Sequence, residues 1–158
     1  MRIEKKTGSK SSVFLIGIVI VLTIFIIMDT FFISTVTVKG NSMNPLINCG
    51  DRMIVDIRSG AINNIQYKDI VIFESPQDPE QLFIKRVIAT EGQEFCIKNG
   101  ELIVDGNDLC EDYIQCEDYL FKNYSKVCGV VPENKVYLLG DNRNTSNDSR
   151  NFGFISTN

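Results

Sequence analysis

Ser42 sits in the run Gly40-Asn41-Ser42-Met43-Asn44-Pro45, just beyond a long apolar segment, in a chain of 158 residues without a single histidine. A serine nucleophile needs a base to take its proton, and the imidazole that most often serves is absent. If Ser42 attacks, its base is a carboxylate or a lysine. Only a lysine stripped of water has a neutral form basic enough for the task. Lys85, in Leu82-Phe83-Ile84-Lys85-Arg86-Val87-Ile88, is the candidate.

The segment around Lys85 reads as a strand. Side chains alternate across a strand, so Phe83, Lys85 and Val87 share one face, and Ile84, Arg86 and Ile88 the other. Bracketing by two bulky apolar groups disfavours the ammonium form and lowers its pKa. At the reference value of ~10.4 a lysine is neutral in only about one molecule in a thousand near pH 7.5. Lowering that value by two to three units costs ~3–4 kcal/mol, which a packed β domain can supply. The other reading of the same residues is an edge lysine facing solvent.

The elements that would position these two residues are short strands with turn punctuation. Residues 34–39 (STVTVK), 52–57 (RMIVDI), 69–73 (DIVIF), 82–89 (LFIKRVIA) and 136–139 (VYLL) carry β-branched or apolar runs. Residues 96–98 and 101–104 flank Asn99-Gly100, a hairpin signal, and Ser75-Pro76-Gln77-Asp78-Pro79 reads as a loop. The expectation is a mostly β, antiparallel domain over 34–158. A more polar, cysteine-bearing stretch at about 105–133 reads as a small insertion on it.

Before Ser42 the pattern differs. Residues 13–33 (VFLIGIVIVLTIFIIMDTFFI) form an apolar stretch that, as a helix, would be about 31 Å long, enough for a bilayer core. Arg2, Lys5, Lys6 and Lys10 precede it, so residues 1–12 are expected in the cytoplasm and everything after the span outside. A cleaved secretory signal would show small residues after the apolar core, but Asp29-Thr30-Phe31-Phe32 stands there. A retained single-pass anchor is the expectation.

With 44% hydrophobic residues the chain suits one folded domain plus an anchor. The net charge of −4, with no basic patch interleaved with aromatics, gives nucleic-acid binding no support. Without histidine or a CxxC pair, no metal or cofactor is expected. An extracytoplasmic location permits disulfides among Cys96, Cys110, Cys116 and Cys128, and the three possible pairings stay open, as does the reading of these residues as free thiols. Nothing near Cys49 would activate it as a nucleophile.

Three segments in this order resemble the type I signal peptidase (leader peptidase) family of membrane-bound serine proteases. Gly40-Asn41-Ser42-Met43-Asn44-Pro45-Leu46 resembles its nucleophile box and Lys85-Arg86-Val87-Ile88 its general-base box. The fourteen residues from Gly140 to Gly153 resemble its C-terminal box, and Gly50-Asp51-Arg52-Met53-Ile54-Val55 matches the strand box between the first two. The single anchor and compact size resemble the Gram-positive kind. The resemblance implies the Ser–Lys fold shared with the LexA-like proteins, a partial barrel of antiparallel sheet after a transmembrane helix.

By that resemblance Ser42 is the acylating nucleophile, Lys85 its general base, and Ser146 the hydroxyl that orients the lysine amine. Asp148 and Arg150 form a supporting ion pair, Asp141 and Arg143 scaffold the same loop, and Asn142 and Arg86 complete the support. The backbone N–H of Ser42 serves the oxyanion. Some members carry a serine two residues before the nucleophile as a further oxyanion donor; Gly40 stands there, so the second donor is unassigned. Substrates are exported preproteins with small residues before the scissile bond, and the bilayer and the secretion translocon are further partners. The family usually continues into another strand after the point where this chain stops, so a truncated or fragmentary chain is the corresponding expectation. The alternatives are an impaired relative acting as a membrane-anchored binding module, and a self-cleaving regulator, for which no DNA-binding domain or cleavage loop is visible.

Overall fold

The computed structural model describes residues 10–57, 64–98, 101–114 and 126–157, with side chains of the first helix described over residues 11–26. That helix, α1 (Lys10–Phe32), runs into strand β1 (Ile33–Thr37). The strands that follow are β2 (Arg52–Asp56), β3 (Ile70–Glu74), β4 (Leu82–Thr90), β5 (Glu94–Lys98), β6 (Glu101–Val104), β7 (Asn107–Leu109), β8 (Val127–Val130) and β9 (Lys135–Leu139). A one-turn helix α2 (Ser149–Phe152) and β10 (Ile155–Ser156) close the described chain.

Every strand pair is antiparallel. β1 and β2 form a hairpin, β10-β9-β4-β3 a central sheet, and β7-β6-β5-β8 a second sheet. The strand runs expected from sequence all appear, with the first ending at Thr37 rather than Lys39. The hairpin expected at Asn99-Gly100 pairs Lys98 with Glu101, although the two turn residues themselves lie outside the described set. The stretch read as an insertion contributes β7 and β8 to the second sheet, and residues 115–125 lie outside the described set.

The two sheets bury a shared core. Phe95, Ile97, Leu102 and Val104 of the second sheet pack on Ile88, Ala89, Tyr137 and Leu139 of the central one. Phe95 and Tyr137 stack with ring centroids 4.0 Å apart. A bulge in β4 between Val87 and Ala89 explains how Ile88 and Ala89 both serve this core. Val87, Val136 and Leu138 pack on the other side, with Val71 and Phe73 of β3. A third cluster, Val38, Met43 and Ile47 with Met53, Ile70 and Ile84, lies under the turn that carries Ser42.

Cys96 and Cys128 face each other across β5 and β8 and form a disulfide, resolving one of the open pairings. Cys49 and Cys110 are free and exposed, and Cys116 lies outside the described set. Among the described residues no helix is long and apolar enough to cross a membrane. The span expected over 13–33 draws in part on side chains beyond that set, those of residues 27–33, although α1 itself is 23 residues long.

Candidate active site

The apolar run 82–90 is drawn into the middle of the central sheet, between β3 and β9, and this removes Lys85 from water. Only 3% of its surface is exposed. The solvent-facing edge position that the sequence left open is therefore excluded. The amine lies 5.2 Å from the centroid of the Phe83 ring, two residues back on the same strand face. Burial pushes the Lys85 pKa down to about 8, against the opposing pull of Asp148 and Asp141.

Ser42 reaches the same point from another direction. Its turn is closed by the Asn44 N–H donating to the Asn41 carbonyl at 3.2 Å, and Met43 and Ile47 anchor the turn in the core beneath. Gly40 takes φ +99, a left-handed conformation for which glycine is suited, and leads the chain into the turn. Lys85 Nζ then lies 2.9 Å from Ser42 Oγ. A second bond, Nζ to the Ile84 carbonyl at 2.9 Å, fixes the amine.

The chain after β9 holds this pair from the outside. The Asn142 N–H donates to the Ser42 carbonyl at 3.0 Å, and its side-chain amide donates to the Asn41 carbonyl at 3.1 Å. Gly140 has no room for a side chain: a Cβ there would lie 2.5 Å from the Ser42 carbonyl oxygen and 2.6 Å from Ser146 Cβ.

Three arginine–carboxylate pairs brace the loop. Arg150 grips Asp148 through Nη2 at 2.7 Å and Nε at 2.8 Å. Asp148 also accepts from the Gly140 N–H at 3.1 Å and caps α2. Arg86 grips Asp141 at 2.7 and 2.8 Å; burial works against its charge, and the carboxylate more than offsets that. Arg143 binds Glu111, with Nη1 to Oε2 at 3.0 Å, and donates from Nε to the Gly140 carbonyl at 3.0 Å.

One expectation needs correcting. Ser146 is buried beside the site, but its Oγ has no hydrogen-bond partner, and the Ile84 carbonyl holds the lysine amine instead. The hydroxyl is drawn over Gly140, whose missing side chain leaves the space it occupies. Asp141 and Arg143 lie in the same loop, Asp141 paired with Arg86 and Arg143 with Glu111. Glu111 and Gly140 were not foreseen as site residues. A cleft of about 1010 Å³ runs from β1 past Ser42 and Lys85 along the start of β4, with Ile72, Phe83 and Ile84 among its walls.

The family model for signal peptidase, peptidase S26, matches residues 11–158. This chain belongs to that signal peptidase family. Among its relatives, a probable signal peptidase I-1 from Synechocystis is 34% identical over 145 residues, covering 87% of this chain and 72% of that protein. Signal peptidase IB from Staphylococcus aureus is 30% identical over 155 residues, covering 89% of this chain and 80% of its own. A crystal structure of a signal peptidase I from Enterococcus faecalis superposes with a TM-score of 0.52 at 31% identity, covering 60% of this chain and 91% of that one. Kinship with signal peptidases I implies serine peptidase activity. In a signal peptidase, a serine hydroxyl 2.9 Å from a buried lysine amine can lose its proton to that amine once the amine is neutral.

Proposed function

We propose that this chain is a membrane-anchored serine endopeptidase that removes signal peptides from exported preproteins, with Ser42 as nucleophile and Lys85 as general base. The observation that carries the reading is the 2.9 Å approach of a buried lysine amine to Ser42 Oγ in a chain with no histidine. Neutral Lys85 takes the Ser42 proton as Oγ bonds to the scissile carbonyl carbon. The carbonyl pair becomes an oxyanion facing the Ser42 N–H. Lys85 then passes the proton to the leaving amine as the C–N bond breaks, and water, activated by the same amine, releases the acyl group.

The substrate is proposed to lie extended in the cleft beside β1 and β4, where main-chain pairing gives affinity and the apolar walls select side chains. Helix α1 is proposed as a single-pass anchor. Its 23 residues would reach about 35 Å, and its described apolar side chains, among them Val13, Phe14, Val19 and Phe25, are exposed. The basic residues before it favour a cytoplasmic N-terminus and an extracytoplasmic peptidase domain, with the translocon as a neighbour. Tethering enzyme and substrate in one bilayer raises their effective concentration.

The test is cleavage of a model preprotein by the full chain in detergent, comparing wild type with Ser42→Ala, Lys85→Ala and Lys85→Arg. Wild type alone is expected to cut. Guanidinium stays protonated, so Lys85→Arg is expected to be inactive although the charge is kept. Cleavage by either Lys85 variant at the wild-type rate would defeat the proposal.

A further inference from the structure

We infer that Glu111 is a positioning residue for the peptidase reaction, acting on the Ser42–Lys85 pair through Arg143 and the Gly140 carbonyl. The inference rests on the Ser–Lys reading above. Glu111 lies just beyond β7, in the stretch that belongs to the second sheet and contributes nothing directly to the cleft. Its side chain is nonetheless only 4% exposed, because it turns inward onto Arg143, itself 3% exposed. A buried carboxylate is costly unless its charge and lone pairs are met. Here both oxygens are met by the Arg143 fork, and Oε1 also accepts from the Tyr113 hydroxyl at 2.7 Å.

What Arg143 does with its Nε gives the pair its reach. Nε donates to the Gly140 carbonyl at 3.0 Å. A Cβ on Gly140 would lie 2.5 Å from the Ser42 carbonyl oxygen, so the chain after β9 packs against Ser42 here with space for a hydrogen but not a methyl group. One residue on, Asp141 holds Arg86, whose guanidinium lies 4.1 Å from the Tyr113 ring centroid. Glu111 and Tyr113 thus press on two arginines of the brace, one by charge and one by a ring face. Segment 111–113 is the outer layer of the brace, and Gly140 the point at which the brace meets the nucleophile's own backbone.

Among the described residues the charged groups that act on the Lys85 amine are Asp148 and Asp141. Each is committed to an arginine, Arg150 and Arg86, while Arg143 is committed to Glu111. Removing the Glu111 charge takes one negative charge out of this network and loosens the Gly140 contact, so both the geometry and the proton affinity of the dyad change.

The experiment uses the full chain in detergent, comparing wild type, Glu111→Gln, Tyr113→Phe and Ser42→Ala. Steady-state cleavage of a model preprotein is followed from pH 6 to 10, with thermal unfolding recorded for each variant. Glu111→Gln is expected to lower kcat about tenfold, the scale of a sub-ångström misplacement. KM should stay within about twofold, since the cleft is untouched. The midpoint of the rise of kcat/KM with pH should move to lower pH. Tyr113→Phe keeps the ring on Arg86 but drops the bond to Glu111, and should move both quantities the same way by less. A purely structural role would lower the melting temperature and leave the pH midpoint in place. A wild-type midpoint in folded Glu111→Gln, or in Tyr113→Phe should Glu111→Gln not fold, would overturn the inference. Failure of wild type to cut, or cutting by Ser42→Ala, would instead sink the Ser–Lys reading on which it stands.

Discussion

The Asn142 N–H donates to the Ser42 carbonyl at 3.0 Å, joining the turn that follows β1 to the loop that follows β9 across a hundred positions of sequence. Neither segment could hold the pair alone. Ser42 sits on a short turn with little regular structure, and β4, which carries Lys85, belongs to a different sheet from β1. The loop after β9 brings them into register.

Gly140 is the tightest point of that junction. In Gly140→Ala the new methyl group meets the Ser42 carbonyl and Ser146 Cβ, and the first of these is backbone that cannot step aside. Overpacking of this kind costs about 1–3 kcal/mol, with loss of cleavage because Ser42 itself is displaced. Gly40→Ala is the control: a Cβ there meets nothing within 4 Å, and only the φ of +99 opposes it. That strain costs about 1–2 kcal/mol. Denaturant melts and cleavage rates on both variants separate steric from conformational effects; the same loss of activity in both would refute the distinction.

Asp141→Asn strands a buried guanidinium. Arg86 keeps its bond to the Lys68 carbonyl, at 2.8 Å, and its place on the Tyr113 ring, but loses the anion it faces. Breaking a buried pair by removing one partner costs about 3–5 kcal/mol. Denaturant unfolding should show a loss of that size, and a change under about 1 kcal/mol would mean that water reaches the site.

The strands were legible because each is an apolar or β-branched run, and alternation put Lys85 on the face shared with Phe83 and Val87. The rest depends on contacts between distant segments. β7, β8 and β10 are only two to four residues long, and nothing in such short stretches distinguishes a strand from a loop. The Cys96–Cys128 pairing follows from the register of β5 on β8, which no local signal sets. α2 does carry a local signal, Asp148 at its N-cap and Gly153 after its end, but at four residues it is too short for a helical period to show. Arg143 could not be matched to Glu111 from sequence, since three carboxylates and three arginines allow many pairings and the fold selects one.

The disulfide should matter to stability more than to chemistry. Cys96 and Cys128 lie on the second sheet, away from the cleft, and close a loop with a sequence separation of 32. A loop of that length is worth about 3–4 kcal/mol through the unfolded chain. The Cys96→Ser/Cys128→Ser double variant is expected to unfold at lower denaturant with its cleavage rate at 25 °C preserved. An unchanged midpoint would contradict this.

Lys85 should be a site where function opposes stability. With its pKa lowered from 10.5 to about 8, the folded state carries a penalty of about 3 kcal/mol whenever the amine is charged. The penalty is fully present below pH 8. Between 8 and 10.5 the folded chain sheds a proton that the unfolded chain keeps, so stability rises with pH through that window. Lys85→Met, of similar reach without the charge, should therefore be more stable than wild type at pH 7, and the gap should shrink toward pH 10. A gap independent of pH would contradict the assignment of the shift to this residue.

The proposed mechanism needs the Lys85 amine partly neutral at working pH, and its titration can be watched directly. With lysines labelled at Cε, NMR spectra of wild type and Lys85→Arg identify the Lys85 resonance by its absence from the variant. The expected midpoint is about 8, well below the ordinary lysine value of 10.5. A Lys85 midpoint near 10.5 would leave Ser42 without a base and contradict the proposed mechanism.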